Sequence, residues 1–154
     1  MQTIAGLTSR LSTLVSSMFD VSRMEMGQLQ LDMAELDFAA LVARIVAEMR
    51  PTLTQHRLAL AGAGAPLRVR GDALRLEQAI QNLLSNAVKY SPAGGPIELQ
   101  LKQAGDHALL RIRDHGIGIP AAALPQLFER FYRVPNAATQ AIGGSGLGLY
   151  VVNE

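Results

Sequence analysis

The chain has 154 residues, 49% of them hydrophobic and 18% charged, with a formal net charge of +1 and no cysteine. That length suits one ordinary domain, or a smaller domain with a helical appendage. The near-neutral charge argues against a broad footprint for DNA or RNA. The absence of cysteine excludes disulfides and thiolate metal sites, and no apolar run approaches the ~18 residues of a membrane span.

Residues 1–26 carry an apolar stripe at Ile4, Leu7, Leu11, Leu14, Met18 and Val21. The alternating steps of three and four are the rhythm of a two-helix seam or a bundle. Gly27 then gives a stop signal. So narrow a stripe wants a partner helix, the alternative being packing on its own domain. Leu29 to Phe38 reads as extended. The stretch 38–51 reads as a helix with apolar positions 38, 41, 42, 45, 46 and 49, closed by Pro51. Residues 57–71 alternate around a Gly/Pro turn, which predicts two short strands. A long helix is predicted over 71–92, with Asp72 as its N-cap and Pro92 beyond its end. Residues 96–103 and 107–114 alternate around Gly105-Asp106 and predict a hairpin. From Gly116 to Gly146 the periodicity dissolves, apart from a short helical piece around 122–132. Such a long weak stretch in a compact domain is usually a functional loop.

Three patterns could carry chemistry. On the 71–92 helix, Asn82, Asn86 and Lys89 share the face opposite the apolar positions. A carboxamide oxygen is a hard, neutral ligand for Mg²⁺, and a lysine one turn away suits a phosphate oxygen. A solvated helix face with two harmless asparagines is the bland alternative. Next, Asp114 falls at a strand end and is followed by Gly116 and Gly118. Glycines let a backbone approach a flat ligand closely, and the carboxylate could accept from an exocyclic amine such as adenine N6. The alternative is a strand-to-loop turn with an Asx-type aspartate. Lastly, Gly143, Gly144, Ser145, Gly146, Leu147 and Gly148 open a helix. Backbone N–H groups there can cradle an anion. The run has no lysine, so the countercharge would come from Lys89, Arg130, Arg133 or a bound Mg²⁺.

In this order the segments NLLSNAVKYSP (82–92), DHGIGI (114–119), LFERFYR (127–133) and GGSGLGL (143–149) resemble the four boxes of the ATP-binding catalytic domain of bacterial sensor histidine kinases. That domain belongs to the ATPase superfamily shared with gyrase B and the heat-shock chaperones. The resemblance implies an α+β fold: a two-layer α/β sandwich with a mixed sheet and helices on one face, preceded by a long coiled-coil-type helix. It implies ATP and Mg²⁺ as ligands. Asn86 would hold Mg²⁺, Asn82 would support the metal water or a phosphate, Lys89 would contact phosphate and Tyr90 would line the nucleotide. Asp114 would read adenine, with Gly116, Gly118 and Ile119 beside the base. Arg130 and Arg133 would reach the triphosphate as a lid over 119–142 closes, and the 144–148 run would cradle phosphates. Phe128 and Phe131 would anchor the lid base. Asparagine at 82 stands where the hydrolytic relatives carry a glutamate base, which favours phosphoryl transfer over attack by water.

The resemblance divides the chain into residues 1–28, the second helix of a dimerisation hairpin, and 29–154, the catalytic domain. It implies a homodimer through that hairpin, a response regulator receiver domain as partner, and a cytoplasmic location, with membrane anchoring of a parent protein left open. Two departures stand out. His56, His107 and His115 are the only histidines, and none sits in a phosphoacceptor setting. The second glycine box is followed by only a few residues, so the expectation is a carboxy-terminally incomplete domain, unable to phosphorylate itself alone. A hydrolytic ATPase of the gyrase or chaperone type, and a non-catalytic nucleotide-binding or dimerisation module, are the alternatives.

Overall fold

A computed structural model describes residues 21–23, 26–135 and 142–154. In chain order these contain strand β1 (Ala34–Asp37), helix α1 (Phe38–Met49), β2 (His56–Ala61), β3 (Arg68–Gly71), α2 (Ala73–Lys89), β4 (Gly95–Ala104), β5 (His107–Arg113) and α3 (Gly148–Asn153). The amino-terminal stripe from Ile4 to Met18 lies outside the described residues, while residues 21–23 are helical.

Each of the two long helices starts on an aspartate. Asp37 Oδ1 accepts from the amides of Ala39 (3.0 Å) and Ala40 (3.3 Å), satisfying donors that a helix start leaves open. The same oxygen accepts from Leu67 N at 3.1 Å, which ties the start of α1 to the approach to β3. This bond first, and the two capping bonds, hold the Asp37 carboxyl below its usual range. Asp72 caps α2 through Leu74 N (3.0 Å) and Arg75 N (3.1 Å), and its other oxygen accepts from Asp32 N at 3.0 Å. Helix α1 ends at Met49, and Pro51 sits within the 3₁₀ turn Arg50–Thr52 that follows.

The two predicted strands of 57–71 form but do not pair with each other. β3 pairs antiparallel with β1, in the register Ala34↔Gly71 to Asp37↔Arg68. β2 runs parallel to β4 and β4 antiparallel to β5, giving the order β2-β4-β5. A parallel pair needs a long crossover, and β3 with α2 supplies it. The hairpin turns where predicted, with Ala104 opposite His107.

Alternation along the strands divides the sheet into two faces. Leu58, Ile97, Leu99 and Leu101 point inward, each at most 2% exposed. Phe38, Leu41, Val42, Ile45 and Val46 of α1 and Ile80, Leu84 and Ala87 of α2 cover them. The opposite face carries Glu98, Gln100, Arg111 and Arg113 and faces solvent. This is the expected two-layer sandwich, with helices on one side of a mixed sheet. Arg44 links α1 to α2 through Glu77 (2.6 Å) and also meets Glu48 (3.1 Å). The two glutamates, Glu77 foremost, hold its guanidinium above its ordinary pKa. A second, small apolar cluster joins Val21, Leu147 and Val151, with Tyr150 against it.

Candidate nucleotide site

Helix α2 presents its core residues on one side and Asn82, Asn86 and Lys89 on the other, all three half-buried. Among the described residues neither asparagine side chain has a hydrogen-bond partner. Lys89 Nζ donates to the Tyr90 hydroxyl at 3.4 Å and lies 4.8 Å from the centre of its ring. Two points of the glycine run lie against this face. A Cβ on Gly144 would stand 2.4 Å from Lys89 Nζ, and one on Gly148 would stand 3.6 Å from Asn82 Oδ1. Residues more than fifty positions apart therefore meet along two turns of one helix.

The Asp114 segment closes the other end. Asp114 Oδ1 accepts from Gly116 N at 2.9 Å, an Asx-type turn, and from the Ser91 hydroxyl at 3.5 Å. Gly116 packs on the exit of α2 so closely that a Cβ would stand 2.0 Å from Tyr90 O. Ile117 N donates to that same carbonyl at 2.9 Å. Gly118 has a positive φ of 67°, and Ile117 and Ile119 beside it are exposed, at 39% and 51%. Apolar surface next to an exposed carboxylate suits a flat, aminated ring.

The remaining residues divide. Residues 121–126 form a 3₁₀ turn rather than an α-helix. Phe128 and Phe131 do not pack into the core: their exposures are 46% and 60%. Phe131 is instead fixed through its backbone, with a φ of 61° and its N–H on Gly146 O at 3.1 Å. The Arg130 guanidinium stands 5.8 Å from the ring centre of Tyr150. Arg133 donates to Ile142 O at 2.5 Å, bridging the two flanks of the loop; residues 136–141 of the expected lid lie outside the described residues. Ser145 Oγ accepts from Leu147 N at 3.3 Å. The Leu147 side chain is 1% exposed and belongs to the small apolar cluster, so any contact with a ligand falls to its backbone. Sequence reasoning missed Ser91, whose only signal is a small polar residue between an aromatic helix end and a proline.

The donor set suits Mg²⁺ better than a tightly caged metal. No group of three His, Asp or Glu that could hold an ion occurs among the described residues. A carboxamide beside a lysine fits a cation that keeps most of its waters and shares phosphate oxygens.

Residues 71–154, more than half of the chain, match the family described as histidine kinase-, DNA gyrase B-, and HSP90-like ATPase. The chain belongs to this ATPase family. Binding of ATP comes with membership of the family. Within it, the Sensor protein SphS of Synechococcus elongatus is 38% identical over 159 residues, covering 98% of this chain and 38% of SphS. The ATPase chain thus spans well under half of that relative. The mycobacterial sensor histidine kinase MprB superposes with a TM-score of 0.67 at 34% identity, covering 79% of this chain and 76% of that one. Full-length ShkA, solved in complex with AMPPNP, reaches a TM-score of 0.78 at 26% identity over 94% of this chain and 30% of its own. The homologues of this ATPase are sensor histidine kinases, and none of these relatives favours the gyrase or chaperone type.

Proposed function

We propose that residues 29–154 are the ATP·Mg²⁺-binding catalytic part of a sensor histidine kinase. On this reading the whole protein transfers the γ-phosphoryl group of ATP to a histidine and then to an aspartate of a response regulator receiver domain. Residues 1–28 belong to the helical hairpin through which it dimerises. The observation that carries the proposal is the meeting of Gly144 with Lys89 and of Gly148 with Asn82. It sets a glycine-rich stretch of backbone beside an ammonium and a free carboxamide on the face that also carries Asn86, a grouping that suits a triphosphate.

Each part has a role. Asp114 accepts from the amino group of adenine, and Gly116, Gly118 and Ile119 leave its ring a flat, apolar bed. Tyr90 lines the nucleotide beside Lys89, whose ammonium takes a phosphate oxygen. Asn86 holds Mg²⁺, and Asn82 orients a water or phosphate next to it. The ion, when bound, neutralises charge on the phosphates. Arg130 and Arg133 stand on the loop flank from which they reach the γ-phosphate as the lid closes. The backbone of 144–148 follows the phosphates. Catalysis here is positioning and charge compensation, and a carboxamide at 82 cannot take a proton from water as a carboxylate would.

Titration with a fluorescent ATP analogue tests the site. Binding should strengthen several-fold with Mg²⁺, lose that dependence in Asn86→Ala and weaken sharply in Asp114→Ala. Binding that ignores all three changes would remove the assignment. None of the three histidines lies on a helix. His56 is tied to Ser91 O at 2.9 Å, His107 to Asp106, and His115 stands 3.7 Å from Glu98. The chain incubated with γ-labelled ATP should therefore carry no acid-labile label, and a stable label on it would contradict the reading.

A further inference from the structure

We infer that Ser91 is a positioning residue for base recognition, and that His56 braces it. The inference rests on the nucleotide reading above and says how its adenine end is held. Ser91 is the one buried polar residue of the described chain, at 2% exposure. It stands one residue past the C-cap of α2, where its two polar arms point to different parts of the fold. Its hydroxyl meets Asp114 Oδ1 at 3.5 Å, and its carbonyl accepts from His56 Nε2 at 2.9 Å and from Gly94 N at 2.9 Å. A carbonyl only accepts, so Nε2 of His56 carries the proton.

The consequence for Asp114 follows from its two oxygens. An exposed carboxylate on a loop turns freely, and a freely turning acceptor discriminates poorly between an amine and a carbonyl on a base. Here Oδ1 is occupied by Gly116 N and Ser91 Oγ, while Oδ2 has no partner among the described residues. The bond from Gly116 is local and moves with the loop. The bond from Ser91 is not: it refers the carboxylate to α2, the helix that also carries Asn82, Asn86 and Lys89. Gly116 allows this approach, since a Cβ there would stand 2.7 Å from Ser91 Oγ. Base end and phosphate end are thus set from one rigid element, with His56 on β2 holding the joint from the sheet side.

The test compares ATP with inosine triphosphate, which has a carbonyl where ATP has the 6-amino group, by displacement of a fluorescent nucleotide from the full 154-residue chain. Ser91→Ala should weaken ATP about tenfold, the scale of one hydrogen bond to a charged group, and leave inosine triphosphate unchanged. Ser91→Thr, which keeps the hydroxyl, should restore the preference. His56→Leu should lower it in the same direction by about threefold. The ratio of the two affinities reads only folded protein, so a purely structural defect does not move it. If Ser91→Ala folds poorly, His56→Leu and Ser91→Thr carry the test. An unchanged ratio in Ser91→Ala or His56→Leu, alongside a collapsed ratio in Asp114→Ala, overturns the role of Ser91 alone. A ratio unmoved in Asp114→Ala removes the adenine reading and this inference with it.

Discussion

Gly116 and Gly143 look alike in sequence, each in a short glycine-rich stretch, yet they carry very different constraints. A methyl group on Gly116 would meet Tyr90 O at 2.0 Å, whereas one on Gly143 would meet nothing within 4 Å. Gly146 combines both difficulties, with a φ of 73° and the Phe131 backbone at 2.7 Å. We expect Gly143→Ala to bind ATP and melt like the parent. Gly116→Ala and Gly146→Ala should each lose about 1–3 kcal/mol of stability, the range for forcing extra volume against backbone, together with most of the nucleotide affinity. Melting curves and one titration per variant check this. The run at 143–148 shows in the sequence that a backbone must come close to something. Which of its glycines does so depends on Lys89, Asn82 and Phe131, all remote in the chain, and no local pattern contains that.

At the scale of elements, local chemistry was readable and pairing was not. Asp72 and the 3.6-residue period mark α2 within a residue or two, and Gly105-Asp106 marks the hairpin, because both signals lie within one stretch of chain. The 57–71 stretch reads as two neighbouring strands, but its halves join different partners. That choice depends on β1 and β4, which the alternation of β2 and β3 does not encode. Phe131 shows the same limit: it is held by its own N–H on Gly146, a partner that no pattern within 127–133 contains. For α2 we expect Leu84→Ala, at a fully buried position, to cost about 2–5 kcal/mol, with an unchanged slope in urea unfolding. Asn82→Ala and Asn86→Ala should leave stability equal or higher by a few tenths of a kcal/mol, because alanine is the better helix former, and should still lose Mg²⁺-dependent binding.

Two seams of the described fold are closed by carboxylates, and their titration bears on its behaviour in acid. Asp37 joins α1 to the approach to β3, and Asp72 joins α2 to the segment before β1; both are held below the usual carboxylate range by the amides they accept from. A depressed folded pKa contributes stability that is complete above the unfolded value of ~3.9 and is lost as pH falls through the folded value. Asp37→Ala should therefore lower the urea midpoint clearly at neutral pH and progressively less below about pH 4, until the variant and the parent nearly coincide. A gap that stayed constant across that range would mean the carboxylate's charge plays no part in the joint.

The two sides of α2 have a consequence for how such a protein can change over time. Ile80, Leu84 and Ala87 face the core, and Asn82, Asn86 and Lys89 each follow one of them by two positions, a rotation of about 200°. On the proposed site assignment, requirements for existing as a folded chain and requirements for handling a nucleotide are written in alternate letters of the same helix. A saturation scan of α2 should give two maps, one of cellular abundance and one of nucleotide affinity, with the same period and opposite phase. Lineages could then retune or abandon the chemistry by substitutions on one side while the scaffold persisted on the other.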